Sequence, residues 1–255
     1  MRSIALFAFF LILPYSIVWA KCEPVDLLIV GDSQSGATWS KSYFGNFLPT
    51  CLEGTFALYA RGGTVPGNWL GKGAMDQIET MERTPDNFQH NIGSGTTVPE
   101  CKKRIGPMLD AHSPQKILFQ FGGNMIGLTD AEITKQIDLL MNEISVRGIT
   151  SSQCYFVTPT FEMAVADHRN VPTRSLVAVV RVTNLIQTAI NERCQLISGI
   201  EIMKNSPYFD GKELLKRVLI PGLAGCGGAA ANDNVHVCGE AARDWAQRVC
   251  ETLKI

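Results

Sequence analysis

The 255-residue chain predicts an α/β fold, a parallel sheet covered by helices. Short apolar runs alternate with longer stretches of helical periodicity, which disfavours an all-β or all-α architecture. The apolar share of 45% is ample for a sizeable core, and the length suits one or at most two domains. There is no internal repeat and no low-complexity tract.

The strand candidates are Val25–Val30, Thr55–Tyr59, Lys116–Phe121, Cys154–Thr158 and Gly199–Met203. Trp39, Tyr43, Phe44 and Phe47 repeat at helical spacing after the first strand, and Pro49 ends that pattern. Thr129 followed three residues later by Glu132 reads as a capping box, with Ile133, Ile137, Leu140, Met141 and Ile144 on one face of the helix it starts. Two further helices are expected, one from about Arg174 to Cys194 and one from about Gly239 to Leu253 with Ala242, Trp245 and Val249 inward. From Gly62 to about Pro99 the chain is rich in Gly, Thr, Asn and Pro, with only a short helix expected near Ala74–Met81. Long irregular excursions in small domains tend to carry function.

Residues 1–20 read as a leader: Arg2, an unbroken apolar run from Ile4 to Leu13, and Val18-Trp19-Ala20 at the positions a signal peptidase reads. Cleavage after Ala20 is expected, leaving 21–255 as one secreted or periplasmic domain without stable membrane association. An uncleaved anchor is the competing reading, since Ser3 to Ala20 is about long enough to span a bilayer. Lys21, standing before Cys22, argues against a lipoprotein. All eight cysteines (22, 51, 101, 154, 194, 226, 238 and 250) follow the leader, and an even number in an exported chain argues for disulfides. In this layout Cys22 and Cys51 precede the first two strands, Cys154 and Cys194 can meet at one sheet edge, and Cys226 and Cys238 bracket the segment around His236. No Cys-x-x-Cys occurs, so neither a redox motif nor a zinc ribbon is indicated. Loss of Arg2 changes the formal charge from −1 to −2, and neither value implies a nucleic-acid or anionic-membrane partner. The basic cluster Lys102-Lys103-Arg104 reads as the solvated face of a helix.

In a right-handed, doubly wound sheet the loops after the strands gather at the carboxyl edge, where ligands bind. Four features converge there: Gly31-Asp32-Ser33, Gly62-Gly63, Gly122-Gly123-Asn124 and Asp233-Asn234-Val235-His236. A serine hydroxyl needs a base to become a nucleophile at neutral pH, and histidine suits that task. His236 is the candidate base for Ser33, with Asp233 placed to accept from its other ring nitrogen. The backbone N–H of Ser33, that of a glycine at 62 or 63, and the Asn124 amide can receive the oxyanion.

These blocks resemble the signature segments of the SGNH (GDSL-type) serine hydrolases, in the same order and across the whole mature chain. The resemblance implies a three-layer α/β/α, flavodoxin-like fold with a five-stranded parallel sheet in the order 2-1-3-4-5. It places the nucleophile at Ser33, oxyanion donors at Ser33, Gly63 and Asn124, and the acid and base at Asp233 and His236. The family's third block usually reads Gly-x-Asn-Asp, whereas Met125 stands in that last position here. The second-block glycine is either Gly62 or Gly63; a small residue before and a threonine after favour Gly63.

Chain order excludes other serine arrangements. A chymotrypsin-like chain places its histidine before its serine, and an α/β-hydrolase sets its serine in Gly-x-Ser-x-Gly after a middle strand. Ser35 is a neighbouring alternative nucleophile but reads as a helix cap. His90 and His112 are expected in solvent, with a place lining the substrate cleft as the lesser reading for His90; Asp167-His168 reads as a polar surface pair, and Trp69 is a candidate platform for stacking a sugar or acyl group. The expectation is a monomeric esterase cleaving a carboxylic ester, an O-acetyl group on a glycan above others, through acyl-Ser33, without cofactor or metal. An O-acyltransferase, a lipid, aryl-ester or thioester hydrolase, and a non-catalytic glycan-binding module would share the same fold.

Overall fold

All five residues of β1 (Leu27–Gly31) are buried, as are all five of β2 (Phe56–Ala60). Continuous burial of this kind marks strands covered on both faces. The computed structural model describes residues 22–36, 44–71, 77–85, 87–94, 98–160, 176–207, 209–210, 218–219, 237 and 239–254. Its remaining sheet strands are β3 (Gln77–Thr84), β4 (Asn87–Ser94), β5 (Lys116–Gln120), β6 (Cys154–Val157) and β7 (Gln195–Ile197). They form one sheet in the order β4-β3-β2-β1-β5-β6-β7, and a separate two-stranded ladder joins β8 (Phe209–Asp210) to β9 (Val218–Leu219).

β2, β1, β5, β6 and β7 are parallel and lie in the expected order, the second strand outside the first and the later ones on its other side. The expected five-stranded sheet is nevertheless corrected to seven, because β3 and β4 form an antiparallel hairpin that extends the sheet beyond β2. The short helix expected near Ala74–Met81 is therefore strand from Gln77 onward. Arg83 fastens this hairpin to the helical layer, donating to the carbonyls of Leu52 (2.8 Å) and Pro49 (2.6 Å).

The fifth parallel strand also differs: it is Gln195–Ile197, whereas Gly199–Met203 falls within a helix, Gly199–Lys204. The turn between them is tight, since Gly199 N donates to Thr158 Oγ1 (3.1 Å) and a β-carbon at Gly199 would lie 2.6 Å from the Thr158 carbonyl oxygen. The preceding helix stops earlier than expected, at Ile190. Asn191 (φ 40°) and Glu192 (φ 62°) follow in the left-handed conformation that commonly ends helices.

Among the described residues the helices, in chain order, are α1 (Phe44–Cys51), α2 (Pro66–Leu70), α3 (Ile105–His112), α4 (Asp130–Ser145), α5 (Leu176–Ile190), α6 (Gly199–Lys204) and α7 (Gly239–Leu253). α1 continues through Pro49, and Trp39 and Tyr43 lie outside the described residues. At α4 the capping box forms, Glu132 N donating to Thr129 Oγ1 and Thr129 N to Glu132 Oε2, and all five apolar residues expected inward are buried.

Alternate strand residues feed two cores. Leu27, Ile29, Phe56, Leu58 and Leu118 pack with Phe44 and Leu48 of α1 and Trp245 and Val249 of α7. Leu28, Val30, Ala57, Ile117 and Phe119 pack on the opposite face with Met108 of α3, Ile133 and Ile137 of α4, and Ile186 of α5. The result is the three-layer arrangement expected, with each fully buried large apolar side chain contributing about 1.5–3 kcal/mol. Phe44 and Trp245 lie with ring centroids 4.3 Å apart, and Cys51–Cys250 links the same two helices covalently. Cys154–Cys194 joins the start of β6 to the residue before β7, and Cys22–Cys101 is the third disulfide among the described residues. Cys226 and Cys238 lie outside the described residues.

Two polar expectations are overturned. Lys102 is buried and ion-pairs with Glu82 of β3 at 2.6 Å, so the basic cluster is no purely solvated face. His112 is buried as well, with Nε2 2.7 Å from the Tyr59 hydroxyl and Nδ1 against the Glu23 carbonyl. His90 is exposed, as expected, and pairs with the buried Glu79 at 2.7 Å.

Candidate active site

Ser33 occupies a corner of the tight turn that ends β1. Asp32 N still bonds to Gln120 O (3.2 Å), continuing the pairing with β5 for one residue. The chain then reverses: Ser35 N donates to Asp32 O (3.1 Å), and Gln34 N donates to Asp32 Oδ1 (2.9 Å). An Asp that binds its own backbone two residues on is the side-chain turn for which this residue type is favoured. Ser33 is thereby left half-buried between Asp32 and Gln34, both of them buried.

Glycine at 31 is required by space: a β-carbon there would lie 2.1 Å from Ser35 Oγ. Ser35 is fully buried and donates to Gln120 Oε1 (2.7 Å), which engages its hydroxyl in holding the turn against β5. Sequence reading missed this Ser35–Gln120 pair, because neither residue belongs to a catalytic motif and they are 85 positions apart.

The loop after β2 runs beside this turn. Arg61 N donates to Gly31 O (3.2 Å), and a β-carbon at Gly62 would lie 3.7 Å from Ser33 Cβ. Gly63 adopts φ 74°, a left-handed conformation that favours glycine. The loop is braced from within, Thr64 Oγ1 donating to Arg61 O (2.8 Å) and accepting from Trp69 Nε1 (3.2 Å). Trp69 is 0% exposed, so it is a buried support for this loop and not an open stacking platform.

The loop after β5 reaches the same place. Gly122 has φ 139°, and a β-carbon there would lie 2.3 Å from Pro159 Cδ, so conformation and space both call for glycine. Asn124 follows and donates through Nδ2 to Thr64 O (3.2 Å), tying the third block to the second. Met125, where the family's block usually has Asp, is fully buried in the core beneath α4. The structure thus brings Ser33, Gly62, Gly63 and Asn124 to one end of the sheet, while Asp233, His236 and Asp167-His168 lie outside the described residues. Val237, next to His236 in sequence, is buried and donates its N–H to Gln34 Oε1 (3.3 Å).

A cavity of about 210 Å³ opens at the other end of the sheet, lined among others by Glu23, Val25, Phe56, Lys102 and His112. Val25 precedes β1 and Ser33 follows it, so this cavity is separated from the serine by the length of the strand. Among the described residues no group of three or more His, Cys, Asp or Glu side chains is placed to hold a metal ion.

Solved structures share the fold. A lipase/acylhydrolase from Enterococcus faecalis superimposes with a TM-score of 0.51 at 14% identity, over 89% of this chain and 95% of that one. A DUF4886 family protein from Bacteroides uniformis gives 0.51 at 12%, over 92% and 96%, and a carbohydrate acetylesterase from Sinorhizobium meliloti gives 0.50 at 11%, over 92% and 99%. At such identities the likeness is one of fold. No family model matches the sequence, and no curated protein does.

Proposed function

We propose that the protein is an exported serine esterase of the SGNH type that hydrolyses carboxylic esters, O-acetyl groups on a carbohydrate in particular, through an acyl-Ser33 intermediate. The observation carrying this reading is the meeting of three sequence-distant blocks: Ser33 at a turn corner, Gly62 beside it, and Asn124 bound to the loop of Gly63 and Thr64. In the proposed reaction His236, oriented by Asp233, takes the Ser33 proton as the hydroxyl attacks the ester carbonyl. The Ser33 and Gly63 N–H groups and the Asn124 amide receive the oxyanion. His236 then returns the proton to the departing alcohol and activates water to release the acid.

Three disulfides among the described residues support export, since such bonds persist in oxidising compartments. Among the described residues no helix is long and apolar enough to cross a membrane. The folds shared with an acylhydrolase and a carbohydrate acetylesterase support the ester-hydrolase class. The proposed enzyme acts as a monomer on a small or glycan ester and needs neither cofactor nor metal.

The test is hydrolysis of a short acetyl ester and of acetylated glycans by the wild type, Ser33→Ala and His236→Ala, with fluorophosphonate labelling to locate the nucleophile. Both variants should fold, lose turnover, and in the case of Ser33→Ala lose the label. Wild-type rates in Ser33→Ala would refute the reading.

A further inference from the structure

We infer that Gln34 is a positioning residue for the catalytic histidine: its side-chain carbonyl holds the peptide N–H that immediately follows His236. The inference rests on the esterase reading above and adds to it a residue outside the four signature positions. Gln34 joins two segments 203 positions apart through the bond from Val237 N to its Oε1 (3.3 Å). A backbone N–H only donates, so the oxygen of the Gln34 amide must be the atom facing it.

Both ends of this tether are fixed. Gln34 is 4% exposed, its N–H is held by Asp32 Oδ1 (2.9 Å), and its carbonyl accepts from Gly45 N (3.2 Å) in the first turn of α1. Val237 is 1% exposed and packs in the core formed by α1 and α7. Little water reaches this place to replace a lost acceptor, and an unsatisfied buried N–H is costly. The Val237 nitrogen is bonded covalently to the carbonyl carbon of His236, while Gln34 is bonded to Ser33. One side chain therefore links the backbone of the nucleophile to that of the base. Hydroxyl-to-imidazole proton transfer requires placement to within a fraction of an ångström, and an error of 1 Å can cost about 10²-fold in rate.

The experiment compares the full mature chain with Gln34→Leu, which keeps bulk and removes the acceptor, and Gln34→Glu, which keeps an acceptor oxygen. Hydrogen exchange at the Val237 amide reads the tether directly, and kcat and KM on a short acetyl ester read its consequence. In Gln34→Leu the Val237 amide should exchange at least about 10-fold faster. Its kcat should fall by about 10- to 100-fold, with KM changed by no more than about twofold. Gln34→Glu should restore slow exchange and much of kcat, and its added negative charge should move the acid limb of the pH profile upward.

Unchanged exchange at Val237 in Gln34→Leu overturns the tether, and faster exchange with unchanged kcat overturns its catalytic role. If Gln34→Leu does not fold, Gln34→Glu decides: an unshifted acid limb overturns the proposal. A wild-type chain inactive on every ester, or a fully active Ser33→Ala, fails the esterase reading instead, and is recognised as such because the exchange measurement is independent of turnover.

Discussion

Gly62 stands beside Ser33: a β-carbon added at 62 would lie 3.7 Å from Ser33 Cβ, whereas one added at Gly63 would meet nothing within 4 Å. The two adjacent glycines therefore answer different demands. Position 62 leaves room next to Ser33, and position 63, at φ 74°, turns the backbone. Gly62→Val should lower kcat/KM for an acetyl ester while leaving thermal unfolding nearly unchanged. Gly63→Ala should instead destabilise the fold by about 1–2 kcal/mol, the usual cost of a left-handed backbone at a residue with a β-carbon. Paired melts and rate measurements on the two variants separate these outcomes, and equal loss of stability in both would contradict the assignment.

Asn124 carries a second prediction. Its Nδ2 has two hydrogens and donates one to Thr64 O (3.2 Å); in the proposed reaction the other serves the oxyanion. Asn124→Ala should reduce kcat by about 10²–10³. Binding of a non-hydrolysable substrate analogue should be much less affected, because an oxyanion donor acts on charge that appears in the transition state. A loss confined to analogue affinity, with kcat intact, would assign Asn124 to binding alone.

The parallel core was legible because its strands are buried on both faces and so stand out as apolar runs: Leu27–Gly31, Phe56–Ala60 and Cys154–Val157 have no exposed residue. The hairpin was illegible for the opposite reason. β3 carries Glu79, Glu82 and Arg83, and its buried apolar residues Ile78 and Met81 are three apart, which imitates a helix turn. The signal that does mark it is Thr84-Pro85-Asp86-Asn87, turn-forming residues between two runs of equal length. At the site, the blocks holding Ser33, Gly62, Gly63 and Asn124 are visible in the sequence and meet at one end of the sheet, but the Ser35–Gln120 and Gln34–Val237 bonds could not be read from it, since uncharged side chains announce no partner at a distance. Lys102 misled in a similar way: a basic triplet reads as solvated unless Glu82, twenty residues earlier, is known to meet it.

The disulfide between Cys51 and Cys250 closes a separation of 199 residues, against 40 for Cys154–Cys194. Cross-linking restricts the unfolded chain more as the closed loop lengthens. Replacing Cys51 and Cys250 together by Ala should therefore cost about 2–5 kcal/mol, more than the same change at Cys154 and Cys194. Denaturant unfolding of the two double variants under oxidising conditions checks the order. The reverse ranking would indicate that native packing between α1 and α7, around Phe44 and Trp245, already holds those helices without the bond.

His112 makes the stability of the sheet's amino end depend on pH. Burial, helped by the nearby Lys102 ammonium, pushes its pKa below the usual 6.5, against the opposing pull of the Glu23 carbonyl and of the Glu82 and Glu23 charges. The unfolded chain then binds a proton near pH 6.5 that the folded chain still refuses, so stability from this group is full above that pH and declines as pH falls below it. In the neutral ring Nδ1 donates to the Glu23 carbonyl and Nε2 accepts from Tyr59, whose single proton is also sought by Glu82 at 2.6 Å. A charged ring would relieve that competition by donating to Tyr59 and leaving its proton for Glu82, so desolvation and hydrogen bonding point in opposite directions. Measuring unfolding free energy of the wild type and His112→Asn from pH 7.5 to about pH 5 decides between them. The wild-type advantage should shrink toward acid, and a growing advantage would show instead that the folded protein holds His112 as an imidazolium.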